Sequence, residues 1–129
     1  MSGADEDRVD DVLYVLEGAV EWIALPGRLS RGAFCRDRDG RPLPQGRADA
    51  RSRDVLGRIR WLEDGTDTGA AALVRRMAAA RLGSTACGQA VAIWSDRLGA
   101  DQVVAELTEP ADAVRRYAQR PATPAEAGA

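Results

Sequence analysis

The apolar positions in the first part of the chain fall on a helical period. Val9, Val12, Leu13, Leu16, Ala19, Val20 and Ile23 follow the i, i+3, i+4, i+7 spacing of one helix face. They predict a helix from about Asp7 to Leu25. Asp5, Glu6 and Asp7 favour its N-terminus, and Pro26-Gly27 ends it. From Pro26 to Gln45 the period is lost, and Gly, Pro and Arg accumulate. There Ala33-Phe34-Cys35-Arg36-Asp37-Arg38, then Asp39-Gly40, then Arg41-Pro42-Leu43 predict a β-hairpin near residues 33–43. Asp-Gly signals a type I′ turn, and Pro42 confines the second strand to an edge.

Helical spacing returns over Ala48 to Leu62, with Val55, Leu56, Ile59 and Leu62 on one face. It recurs in Leu73, Val74, Met77, Ala78 and Arg81, where Thr68 can cap the start and Gly83 stop the end. Ala86 to Trp94 is short and Ala-rich, with Val91 and Ile93 alternating, so helix and strand both stay open; the helical surroundings favour helix. Trp94 to Gly99 reads as a turn. Ala100 or Asp101 then caps a helix carrying Val103, Val104 and Leu107. Pro110 fits the first position of a last helix with Val114, Tyr117 and Ala118 inward. Residues 120–129 read as a disordered tail. The sum is a mainly α single domain over residues 1–119, a small bundle of about five helices with a short β-hairpin insertion.

The first helix has a second feature. At 100° per residue Tyr14, Gly18, Glu21 and Leu25 lie opposite the apolar stripe, Trp22 lies well off it and Glu17 on its border. Gly18 costs roughly 1 kcal/mol in a helix interior relative to Ala, for which close packing is a sufficient reason. Glu17 and Glu21 are a like-charge i, i+4 pair. This face reads either as a dimer or core interface with two solvated carboxylates, or as a pocket wall bearing an aromatic platform and a carboxylic acid.

Composition narrows the chemistry. The 129 residues include 18 Arg but no Lys, no His and no Asn, and the formal charge is −2. Without Lys there is no Schiff-base or phosphate-loop lysine, and without His no Ser-His-Asp triad and no histidine metal site. The two cysteines, Cys35 and Cys87, stand 52 positions apart and give no metal spacing. No metal and no cofactor is therefore expected. No apolar stretch approaches the ~20 residues of a membrane span, and the acidic start is unlike a signal peptide. A cytoplasmic protein with reduced thiols is expected. The charge balance does not point to nucleic acid, although Arg28, Arg31, Arg36, Arg38, Arg41 and Arg47 crowd the hairpin region.

What remains is carboxylate chemistry near aromatic rings. Glu17, Glu21 and Asp96 are the candidate catalytic acids and bases. Tyr14, Trp22, Phe34 and Trp94 are candidate stacking surfaces, and Arg31 and Arg36 candidate grips for a substrate carboxylate. If they shared one cavity, environment could split the carboxyl groups into an acid and a base. The implied activity is a cofactor-independent cyclisation or condensation in bacterial specialised metabolism, for example of Pictet–Spengler type, on an aromatic amine or a carboxylate. The alternative is a non-catalytic protein-interaction module or a homodimerising regulatory module. In plainer terms, Glu17, Glu21 and Asp96 would be solvated or capping groups and Trp94 a core residue.

Two segments carry a resemblance. Val15 to Leu43 contains Ala19-Val-Glu-Trp-Ile23, Arg31-Gly-Ala-Phe34, Arg36-Asp37 and Gly40-Arg41-Pro42. Later come Val91-Ala-Ile-Trp94-Ser-Asp96 and the helix with Val103 and Val104. This order resembles the domain-of-unknown-function 6197 family of small actinobacterial proteins, over about Val9 to Tyr117. Ser95 stands where the pattern Trp-Asn-Asp has Asn, and Val55 where Cys is frequent, so the chain would be a divergent member. The family has no assigned activity, and the resemblance implies only the segmentation.

Overall fold

The computed structural model describes residues 3–30, 35–44, 48–83 and 89–119, with side chains in the first helix from Asp7 onward. The element order is α1 (Gly3–Ile23), β1 (Cys35–Arg36), β2 (Pro42–Leu43), β3 (Ser52–Arg53), α2 (Val55–Glu63), α3 (Ala70–Leu82), α4 (Ala90–Asp96) and α5 (Ala100–Gln119). The architecture is the mainly helical one read from the sequence, with a small sheet inserted between α1 and α2. Arg31 and Phe34, the start of the predicted hairpin, residues 86–88 and the expected tail 120–129 lie outside the described residues.

The core follows the helical period. Val12, Val15, Leu16, Ala19 and Ile23 of α1 are buried with Val55 and Ile59 of α2, Val74 and Ala78 of α3, Trp94 of α4, and Val103, Leu107 and Ala111 of α5. α1 is the central element and packs most extensively on α5, next on α2. Gly18 shows why α2 sits so close. A Cβ there would lie 2.9 Å from Leu62 Cδ1, inside van der Waals contact. The glycine that weakens the helix is the place where the neighbouring helix is received.

The structure corrects several details. Residues 48–54 do not begin α2. Ser52–Arg53 instead pairs antiparallel with Cys35–Arg36, giving a three-stranded sheet in the order β2-β1-β3 with Pro42 on an edge strand. Asp54 then caps α2, its carboxylate accepting from Gly57 N at 2.6 Å. A buried Ser30–Ser52 hydroxyl pair at 2.7 Å and backbone bonds between residues 28–30 and Arg53 tie this junction to the chain leaving α1.

The hairpin turn is not type I′. Gly40 N donates to Asp37 O, Asp37 N donates to Arg41 O, and only Gly40 has a positive φ, of 80°. That is a three-residue loop, a type I turn followed by a left-handed glycine. The Asp37 carboxylate selects it by accepting from both Asp39 N and Arg41 N at 2.9 Å.

α3 starts after Gly69, with the Thr68 hydroxyl accepting from Ala70 N, and stops at Gly83 as expected. Residues 100–119 form one helix, where two had been expected, and Pro110 lies inside it. Pro110 removes the donor for the Glu106 carbonyl. The stripe Val103, Leu107, Ala111 and Val114 nonetheless runs unbroken across it into the core, so burial outweighs one lost hydrogen bond. Tyr117, expected inward, is exposed.

The Gly18–Leu62 contact makes a direct prediction. Gly18→Leu should destabilise the fold by about 1–3 kcal/mol through overpacking, despite its better helix propensity. Adding Leu62→Ala should recover part of that loss in urea unfolding. Equal stability of Gly18→Leu and the wild type would show that the close approach does not matter.

Candidate functional site

Among the described residues, the predicted acids and Trp94 occupy separate places, while Tyr14 and Trp22 both border Arg58. Glu17 and Glu21 line a shallow groove of about 280 Å³ between α1 and α5, together with Val20, Thr108, Ala111 and Arg115, and no aromatic ring lines it. Glu17 is held in an ion pair by Arg115, which also bonds Asp112 at 2.7 Å. The hydrogen bond to Glu17 raises the already high value of the Arg115 guanidinium. Glu21 is exposed. Asp96 is exposed at the end of α4, within electrostatic reach of Asp54 and absent from that groove.

The rings are divided likewise. Trp94 is 3% exposed, and its indole N–H donates to Glu106 Oε1 at 3.1 Å, so it is a core residue with its polar edge satisfied. Glu106 also meets Arg81 at 3.2 Å, and Arg81 bonds Glu109. Tyr14 is exposed on α1, within electrostatic reach of Arg58. Arg36 Nη1 donates to Gly40 O at 2.8 Å, bracing the hairpin turn. Among the described rings of that set, Trp22 is the one on which guanidinium groups stack. It is half-buried, and its indole N–H donates to Arg28 O at 3.3 Å.

Around Trp22 the structure assembles a face made of residues outside the sequence-predicted set. The guanidinium of Arg58 lies 4.2 Å from the Trp22 ring centroid, and that of Arg28 lies 4.5 Å from it. Arg53 lies 4.2 Å from the ring centroid of Trp61, which is 40% exposed. α1 contributes Trp22, the following loop Arg28, β3 Arg53, and α2 both Arg58 and Trp61. Each contact is worth about 0.5–1 kcal/mol at an exposed site and more when desolvated.

The arginines also repel one another. Burial, and after it the neighbouring Arg53, lowers the Arg58 guanidinium from its ordinary value; Tyr14 opposes this and Arg28 adds to it. Burial also lowers Arg53, against smaller opposing effects of Cys35 and Asp49. Both stay protonated at neutral pH, because arginine starts far above it. Arg58 Nε is buried with no hydrogen-bond partner among the described residues. Arg28 donates to the Arg51 carbonyl, and neither Arg28 nor Arg58 forms an ion pair with a described carboxylate. The internal segments outside the described residues, 31–34, 45–47 and 84–88, contain no Asp or Glu in their sequence.

Among the described residues no group of three or more metal-ligating side chains clusters, and no helix is long and apolar enough to cross a membrane. Cys35 is a buried free thiol directed at the carbonyls of Leu43 and Pro44. No protein-family model, curated protein or solved structure matches the chain. The likeness to the domain-of-unknown-function 6197 family therefore rests on the short motifs quoted above.

One carboxyl is strongly displaced. Burial raises Asp54 to about 6, with the backbone bond from Gly57 opposing, Asp96 adding, and Arg60 opposing. A folded value above the unfolded one, about 3.9, means that its contribution to stability is fully present below pH 4 and lost as pH rises through 6. The ceiling is about 3 kcal/mol, and partial solvent access brings the expected effect to roughly 1–2 kcal/mol. Asp54→Asn keeps a cap acceptor without the charge. It should raise Tm at pH 7.5, and its advantage over wild type should shrink as pH falls from 6 to 4. A lower Tm at pH 7.5 would show that the charged cap matters more than its burial.

Proposed function

We propose that this protein is a non-catalytic recognition module that docks an acidic protein segment on its arginine–tryptophan face. The observation that carries the reading is that Arg28 and Arg58 share the Trp22 ring, beside Arg53 on Trp61, while neither Arg28 nor Arg58 pairs with a described carboxylate. Tryptophan, tyrosine and arginine are the residues that carry most binding energy at protein interfaces. Here the exposed Trp61 edge and the nearby Tyr14 hydroxyl offer contact area, and the guanidinium groups offer bidentate donors for carboxylates.

The cofactor-free cyclisation reading needs its carboxylates in an aromatic-walled cavity that excludes water. Glu17 is neutralised by Arg115, Glu21 and Asp96 stand in solvent, and Asp54 is committed to capping α2. The arrangement favours recognition over catalysis. An acidic protein segment suits the face better than nucleic acid, because the rest of the surface brings the net charge to −2 and would repel a long polyanion.

Fluorescence anisotropy with a short labelled poly-glutamate peptide tests this. Binding should weaken steeply with added salt, and Trp61→Ala and Arg58→Met should each cost about tenfold or more. Arg116→Gln, an exposed change on α5, should have no effect. Absence of binding, or equal binding by Trp61→Ala and Arg58→Met, would overturn the proposal, as would tighter binding of a single-stranded DNA of equal charge.

A further inference from the structure

The charges on this face specify more than a generic acidic partner. Arg28 and Arg58 stack on the one Trp22 ring and repel each other, while the nearby Arg53 is buried, at 3% exposure, with Asp49 acting on it. Arg28 and Arg58 therefore place two positive charges on one ring, neither paired with a described carboxylate. A single carboxylate would neutralise half of that charge, whereas a phosphate monoester carries about −1.5 to −2 at pH 7 and three acceptor oxygens.

The donors match that ligand. Guanidinium groups present planar forks suited to phosphate oxygens, and the chain has no Lys to offer a point charge instead. Arg58 Nε is a buried donor without an acceptor among the described residues, and leaving such a donor unpaired is costly. Arg28 and Arg58 are held in place by stacking on Trp22, which limits the side-chain entropy lost when an anion binds. A monoester also differs from a nucleic-acid diester, which carries one charge where this set of groups calls for two.

We infer that the Arg28–Arg58 pair on Trp22, beside Trp61, is a binding site for a dianionic phosphate monoester, presented as a phosphorylated side chain on the acidic segment. This inference rests on the recognition reading above and names the group recognised. The site works without chemistry: no bond to the phosphate forms or breaks. The guanidinium groups of Arg28 and Arg58 meet its oxygens, and the Trp61 edge meets the residue beside it.

The test uses three probes on the full chain at matched ionic strength and pH 7.5. They are a labelled Glu-rich peptide containing one phosphoserine, the same peptide with Glu at that position, and phenyl phosphate as competitor, with dimethyl phosphate and acetate beside it. The phosphoserine peptide should bind at least about tenfold more tightly than its Glu counterpart, and Arg58→Met should abolish that difference. Phenyl phosphate should displace the peptide at concentrations where dimethyl phosphate and acetate do not.

Arg58→Met retains the apolar stem and removes a repelled, partly buried charge. Its Tm in phosphate-free buffer should equal or exceed that of the wild type, and phenyl phosphate should no longer raise it. Arg28→Gln provides a second variant with the same expected loss of phosphate preference. Equal affinity for the phosphoserine and Glu peptides would overturn the phosphate inference and leave the recognition reading standing. Failure of both peptides to bind would overturn both. A marked fall in Tm for Arg58→Met with unchanged phosphate preference would assign Arg58 to the fold and overturn its place in the site.

Discussion

The contact that the rest depends on is the close approach of α2 to α1 at Gly18. A missing side chain on one helix lets Leu62 of the other lie where a Cβ would stand. Because Leu62 and Arg58 are one turn apart on α2, seating Leu62 against Gly18 also brings Arg58 to the ring of Trp22, one turn further along α1. Packing and the candidate site thus share one cause. A larger residue at position 18 would have to displace the Leu62 side chain from this contact.

The same junction explains how Arg28 and Arg58 share one ring without pairing with a described carboxylate. Stacking on indole rings, one intrinsic backbone acceptor at Arg51 and the hydrogen-bonded turn through Ser30 and Ser52 fix the arginines against their mutual repulsion. Two other arginines are paired with carboxylates: Arg81 with Glu106 and Glu109, Arg115 with Glu17 and Asp112. Exposed pairs of that kind contribute little.

Much of the fold was legible in the sequence, because burial imposes a period on long helices. The α1 stripe, the Gly83 stop and the edge position of Pro42 all follow from local rules. β3 did not, since two residues, Ser52 and Arg53, pair with a strand 17 positions earlier and carry no alternation of their own. Nor did the continuity of α5, where a long buried stripe overrides the local veto of Pro110. The turn type was missed because Asp37, two residues before the Asp-Gly pair, supplies the deciding acceptor.

The site was the least legible part, for a geometric reason. Glu21 and Trp22 are neighbours in sequence but 100° apart on the helix, so the carboxylate faces α5 while the ring faces α2. The residues that do meet Trp22 come from a loop, a strand and another helix, and only the packed chain brings them together. The Trp61–Arg58 spacing on α2 was a visible but weak cue. The most direct measurement is a two-dimensional NMR titration with an acidic phosphoserine peptide, following the indole N–H and arginine Nε–H signals. The indoles of Trp22 and Trp61 and the Nε of Arg58 should shift together, while Trp94, bonded to Glu106 in the core, stays in place. Shifts centred on Trp94 or on the Glu17–Glu21 groove, with Trp22 and Trp61 silent, would contradict the account.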